Sequence, residues 1–202
     1  MIALTLTALH TEMRACRRCL EADYPIMPGA IFSGRASARV MVVGQAPGVT
    51  EVTARRPFNA SSGRRLFQWL AEAGWDEDEF RATQYMTAIT KCYPGKQPGA
   101  NSKGDRVPTA AERQLCAPFL ERELEILRPQ LIIPVGTLAI KRFIGQGKLV
   151  DIVGQVFERN GRCIVPLPHP SGASLWLNRP EHQALVGQAI GYLRRLKGRL
   201  NL

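Results

Sequence analysis

The sequence predicts a three-layer α/β/α sandwich around a central, mostly parallel sheet of four strands. Two observations carry that prediction. Short apolar runs alternate with longer stretches of helical periodicity, the pattern of strands joined by crossover helices. One of the runs, Val40-Met41-Val42-Val43, is apolar at every position, as a strand covered on both faces must be. The turn that follows it, Gly44-Gln45-Ala46-Pro47-Gly48, leaves from the carboxyl end of the strand, where open α/β sheets hold their ligands. Gly44 and Gly48 permit close approaches that a Cβ forbids, and Pro47 stiffens the turn.

Composition bounds the function. With 202 residues and 45% hydrophobic content, the chain can bury a core as one domain over residues 1–202. Lysine and arginine (27) exceed aspartate and glutamate (17), which gives a net charge of +10 and a pI near 9.9. Such an excess favours a polyanionic partner, nucleic acid ahead of an anionic membrane surface, with a merely solvated basic surface as the plainer alternative. No run approaches the roughly 18 apolar residues of a membrane span. The opening Met1-Ile2-Ala3-Leu4-Thr5-Leu6 lacks the basic segment of a secretion signal. We therefore expect a cytoplasmic monomer with no membrane partner, whose cysteines are ligands or free thiols rather than disulfides.

From Thr5 to Cys16, the residues Leu6, Leu9, Met13 and Cys16 recur at helical spacing, and Cys16-Arg17-Arg18-Cys19 follows as a C-x-x-C. Tyr24 to Gly34 reads as a loop into the first strand. Glu51 lies in the polar passage after the Gly44–Gly48 turn, where it can cap or pair with Arg55 or Arg56. A helix capped by Ser61 or Ser62 then carries Leu66, Phe67, Leu70 and Ala73 inward and stops at Gly74. Phe58, just before it, reads as a small core anchor or as a platform for stacking a base. Gln84 to Thr90 is a second strand, ending in Lys91-Cys92-Tyr93-Pro94. Gly95 to Arg106 is an exposed, mobile loop. Thr109 and Glu112 form a capping box for a helix that runs to about Leu127, before Pro129. Leu131 to Gly136 is a third strand and Thr137 to Ile144 a short helix. Arg162 to Leu167 is a fourth strand, delivering Pro168-His169-Pro170-Ser171-Gly172 at its carboxyl end. The last helix begins near Pro180 and turns Leu185, Ala189, Leu193 and Leu196 inward. Three loops (Gly44–Gly48, Lys91–Pro94 and Pro168–Gly172) leave carboxyl ends of strands and are expected to converge on one cleft.

The cysteines suggest a second site. Cys16 and Cys19 with the distant Cys92 and Cys116 make a plausible four-thiolate set that would tie the N-terminal helix and C-x-x-C (about residues 5–19) to the body of the domain. Such a set fits zinc or a [4Fe–4S] cluster equally well, and the alternative leaves Cys92 and Cys116 as unconnected core residues. Cys163 falls in a strand and reads as an ordinary buried thiol.

These segments together resemble the iron–sulfur uracil-DNA glycosylases known as family 4. Gly44-Gln45-Ala46-Pro47-Gly48 with Glu51 is similar to that family's first motif, G-E-A-P-G with an acidic pair. Pro57-Phe58 with Gly63 and Leu66, Lys91-Cys92-Tyr93-Pro94 and His169-Pro170-Ser171 resemble its later motifs in the same order. The resemblance runs from about Cys16 to Leu196. It implies the uracil-DNA glycosylase fold, a [4Fe–4S] cluster on Cys16, Cys19, Cys92 and Cys116 with zinc as runner-up, and excision of uracil from DNA. It also implies that Phe58 stacks on the extruded base, that the Gly44–Gly48 backbone, including Ala46, contacts it, and that His169 hydrogen-bonds its carbonyl.

Two departures qualify the match. Gln45 stands where the family has a carboxylate, so it can position a water but not take its proton. Ala88 stands where the family has a base-reading asparagine, and Asn59 is the candidate replacement amide. The loop carrying Ser171 and Gly172 is expected to meet DNA, with Leu175 or Trp176 as the wedge that fills the vacated stack. Besides uracil, the expected alternatives are another deaminated base, such as hypoxanthine, or binding of DNA lesions without turnover.

Overall fold

The computed structural model describes residues 5–99, 104–171 and 175–202. In chain order its elements are α1 (Leu6–Ala15), α2 (Arg18–Glu21), β1 (Val40–Gly44), α3 (Val49–Ala54), α4 (Ser61–Glu72), α5 (Glu77–Thr83), β2 (Tyr85–Ala88), α6 (Ala110–Leu127), β3 (Leu131–Pro134), α7 (Thr137–Phe143), α8 (Leu149–Ile152), β4 (Phe157–Arg159), β5 (Arg162–Ile164), a 3-10 turn at Leu175–Asn178, and α9 (Pro180–Leu200).

Among the described residues, the strands form one sheet in the order β2-β1-β3-β5-β4. All neighbours are parallel except β4 and β5. The unbroken apolar run of β1 has the expected cause, because helices cover both faces of the sheet. Val40 and Val42 point to one side, where they join Leu131, Ile133, Leu66, Phe67 and Leu70 of α4, and Val186, Ile190 and Leu193 of α9. Met41 and Val43 point to the other, against Tyr85, Ile132, Leu9 and Met13 of α1, and Phe119 and Leu120 of α6. Alternation along one strand thus builds two cores and three layers.

Several details correct the sequence reading. The sheet has a fifth strand, Phe157–Arg159, antiparallel to β5 across Asn160-Gly161. Both turn residues have positive φ (51° and 70°), the geometry of a tight hairpin. Ser61 and Ser62 do not cap α4; Ala60 holds that position without a side-chain bond. The passage containing Glu51 is the helix α3. The segment expected to be a free loop between Gly95 and Arg106 has a paired stem: Gln97 N–H donates to Gly104 O at 3.1 Å and Arg106 N–H to Gly95 O at 3.0 Å.

The capping box on α6 is as expected, with Glu112 N–H donating to Thr109 Oγ1 at 3.2 Å and Thr109 N–H to Glu112 Oε2 at 2.7 Å. The basic end of α9 serves packing: Arg194 donates to Glu72 O and Lys197 to Gly74 O, so these cations satisfy carbonyls at the end of α4. No helix among the described residues is long and apolar enough to cross a membrane.

Candidate active site

The strands β1, β2, β3 and β5 end on one side of the sheet, and a pocket opens above them. Its lining includes Gly44, Gln45, Ala46, Glu51, Phe58, Ser62, Thr87, Ala88 and His169. The turn after β1 is fixed to the chain beyond β2, since Ile89 N–H donates to Gly44 O at 3.0 Å and Thr90 N–H to Gln45 O at 3.2 Å. Gly44 matters for space as well as for the turn, because a Cβ there would lie 3.1 Å from Phe58 Cζ. The aromatic ring therefore lies against bare backbone.

Phe58 has a positive φ of 51°, unusual for a bulky side chain, and its backbone is held from several directions. Its N–H donates to Glu51 Oε1, and Gly48 N–H donates to Glu51 Oε2 at 2.6 Å. One carboxylate thus joins the turn to the aromatic. Burial raises the Glu51 pKa above the usual carboxylate value, with Asp105 adding to it, while the two backbone N–H groups and Arg81 oppose the rise. At Gly63, a Cβ would overlap the Phe58 carbonyl, so only glycine lets α4 start this close.

His169 enters from the loop after β5. The pairing of β3 and β5 continues past their ends, through a Val135–Leu167 bridge and a bond from Gly136 N–H to Leu167 O at 2.9 Å. Gly136 has φ +85°, and a Cβ there would lie 3.2 Å from His169 Cδ2. Ser171 N–H donates to His169 Nδ1 at 3.2 Å, and Ser171 Oγ lies 2.9 Å from the same nitrogen. Nδ1 is therefore an acceptor, which places the proton of the neutral ring on Nε2. His169 retains exposed surface as a residue, yet desolvation by the surrounding protein lowers its pKa from the ordinary 6.5, which favours this neutral form at pH 7. The arrangement presents a flat aromatic face, a fixed imidazole donor and a backbone turn to one small space, as capture of a planar polar ring requires.

The structure thus brings together Gly44, Gln45, Ala46, Phe58 and His169. Asn59 is exposed and outside the lining. Ser171 is turned to His169, and Gly172 lies outside the described residues. Trp176 stacks on His182, with ring centroids 4.2 Å apart, whereas Leu175 is 77% exposed. Of the loops expected to converge, Lys91–Pro94 does not reach this pocket; Thr87 and Ala88 line it instead. Lys91 turns inward and donates to Glu123 Oε2 at 2.7 Å, Thr87 Oγ1 at 2.7 Å and Ala88 O at 2.6 Å.

The cysteine expectation is corrected. Cys16, Cys19, Cys92 and Cys116 line a separate, largely apolar pocket with Met13, Ile26, Thr90 and Phe119. Among the described residues, however, no group of three or more His, Cys, Asp or Glu side chains could hold a metal ion, so neither the [4Fe–4S] cluster nor zinc is supported. Burial, with the neighbouring cysteines adding to it, pushes the Cys19 thiol up to about 11 and Cys92 to about 12. What ties the N-terminal helix down is packing: Leu6, Leu9 and Met13 meet Phe119, Leu120 and Leu124, and His10 Nε2 lies 2.9 Å from Tyr85 OH.

Arg81 was not legible as part of this region. It lies outside the pocket and donates to the Pro57 and Phe58 carbonyls, both at 2.9 Å. No side-chain motif marks a residue whose partners are backbone carbonyls more than twenty positions away. The helix that carries it did have a signal, Asp76 followed by Glu77, Asp78 and Glu79, an acidic first turn behind a capping aspartate.

Comparison with known proteins agrees with this geometry. A family model described as the uracil DNA glycosylase superfamily matches residues 31–193. The chain is 30% identical over 145 residues to a type-4 uracil-DNA glycosylase of Thermotoga maritima, covering 70% of this chain and 69% of that one. It is 31% identical over 139 residues to a type-4 enzyme of Archaeoglobus fulgidus, covering 67% and 61%. With one of Sulfurisphaera tokodaii the match is 29% over 204 residues, covering 95% and 84%.

Proposed function

The chain belongs to the uracil DNA glycosylase superfamily and, within it, to the type-4 family, and from that premise we propose that it hydrolyses the N-glycosidic bond of uracil in DNA, leaving an abasic site. The observation that carries this reading is the meeting of the Gly44–Gly48 turn, the Phe58 ring and the His169 imidazole around one pocket. A base inside a duplex cannot reach such a pocket and must be flipped out, at a cost of roughly a few kcal/mol. Leu175, exposed just beyond the His169 loop, is suited to fill the vacated stack.

Phe58 then offers its face to the base. As the bond breaks, the sugar becomes cation-like and the base acquires negative charge. His169 Nε2–H donates to the base oxygen that carries that charge, and the backbone of the turn adds fixed dipoles. A neutral donor held before the reaction needs no reorganisation as charge appears. Gln45 can orient the attacking water through its carbonyl but cannot take its proton, so catalysis rests on stabilising the leaving base.

A second reading is favoured by one observation. Ala88 lines the pocket with only a methyl group and backbone, so no amide at that position discriminates the base. Another deaminated base, such as hypoxanthine, would then be the substrate. The test uses single-stranded oligonucleotides carrying one uracil or one hypoxanthine, incubated with the protein and treated with alkali. A break at uracil supports the proposal. An intact uracil strand beside a broken hypoxanthine strand supports the second reading. Tight binding with neither strand broken would make the protein a lesion binder instead.

A further inference from the structure

We propose that Arg81 is a positioning residue for the aromatic platform, acting from outside the pocket through the backbone of Pro57 and Phe58. The inference rests on the base-capture reading above and adds to it the group that sets where the aromatic face lies. Phe58 is held in a left-handed backbone conformation that its side chain does not favour. Something must over-determine that conformation, and the polar groups on both sides of the residue do so. Glu51 takes the N–H, while Arg81 Nη1 and Nη2 donate to the Pro57 and Phe58 carbonyls at 2.9 Å each.

Arg81 is itself well fixed. Its Nε donates to Glu77 Oε1 at 2.8 Å, its guanidinium carbon lies 4.1 Å from the centroid of the Phe67 ring, and its side chain is only 12% exposed. The planar fork reaches two successive carbonyls at once, which a lysine ammonium at the end of a flexible stem cannot do with the same geometry. The aromatic ring faces Gly44 at close range, so a shift of the Pro57–Phe58 backbone moves the ring relative to the turn. Arg81 therefore sets the gap between turn and platform without touching a bound base.

A double-mutant cycle tests this. Single-turnover cleavage of a uracil-containing strand is measured over a range of enzyme concentrations for wild type, Arg81→Gln, Phe58→Ala and the double variant. Arg81→Gln is expected to raise the half-saturating enzyme concentration about fivefold, the low end of what a base–aromatic stack contributes. The maximal rate should change much less. In the Phe58→Ala background the same change should have an effect of under about twofold, because the ring through which Arg81 acts is gone. Arg81→Lys should fall between the two and carries the cycle if Arg81→Gln does not fold. An equal loss in both backgrounds, or no loss in either, overturns the inference while leaving the glycosylase reading intact. A wild-type chain that leaves the uracil strand whole overturns that reading, and this inference with it.

Discussion

His169 and Gln45 face the same small space, and their chemistry differs in a way that mutation can separate. Ser171 holds Nδ1 of the imidazole, so its remaining nitrogen is a fixed donor at the place where charge would develop on a leaving base. Gln45 offers a neutral carbonyl to a neutral water. Loss of one preorganised donor typically costs about 100- to 1,000-fold in rate. We expect His169→Ala to lose activity on that scale in single-turnover cleavage, and Gln45→Ala to lose clearly less, as follows if the bond breaks largely before water attacks. A Gln45 variant without activity beside a nearly normal His169 variant would reverse the assignment and make water placement the critical step. Phe58→Ala belongs to a different category. It should weaken capture of the strand, since stacking contributes roughly 1–3 kcal/mol per base, and leave the maximal rate less affected.

At the scale of elements, β2 is joined to α6 by buried charge. Lys91 is 2% exposed and Glu123 fully buried; they meet at 2.7 Å, and the Tyr85 hydroxyl and Thr87 Oγ1 each donate to Glu123 at 3.0 Å. Removing one partner leaves the other charged and buried, so Lys91→Met should lower stability by about 3–5 kcal/mol in denaturant unfolding. Lys91→Met with Glu123→Leu should cost much less, because no orphaned charge remains. The stem formed by residues 95–97 and 104–106 is anchored differently, through Arg106 and the buried Glu112 at the start of α6. The Arg106 guanidinium holds the Glu112 carboxyl below its usual value. A depressed folded pKa means the stabilisation is present above the unfolded value of about 4.3 and lost as pH falls through the folded one. Thermal melts of Glu112→Gln should therefore lie below wild type at pH 7 and converge with it in acid. These elements also show what could be read in advance. The β1 run, the Thr109–Glu112 box and the Pro180 helix start are local signals, and each lies where the sequence puts it. The Asn160-Gly161 turn is an equally local signal, but the strand before it is only three residues long and leaves no periodicity to read. Motif order pointed to Gly44, Phe58 and His169, and all three line one pocket. The inward turn of Lys91 and the Arg81 contacts were not legible, because each is decided by a distant partner rather than by spacing along the chain.

For the molecule as a whole, the net charge of +10 is the quantity that bears most directly on a partner. Part of the positive charge is already engaged within the fold. Arg106 pairs with Glu112 and Arg122 with Glu12, while Arg194 and Lys197 donate to carbonyls at the end of α4. Excess cations remain after such pairs are made, and a polyanion is the partner whose binding gains most from them. If that partner is DNA, each phosphate contact releases condensed counterions, and log affinity must fall linearly with log salt, with a slope of about −0.7 per contact on a single strand. Titrating a labelled single strand at several salt concentrations gives that slope directly. We expect binding to weaken steeply between low and physiological salt, and to do so similarly for strands with and without uracil, because phosphate contacts carry no base information. The ratio of the two affinities should stay nearly constant, since it reports the pocket rather than the surface. Affinity that is flat across that range would remove a polyanionic partner and leave the basic surface as solvated charge.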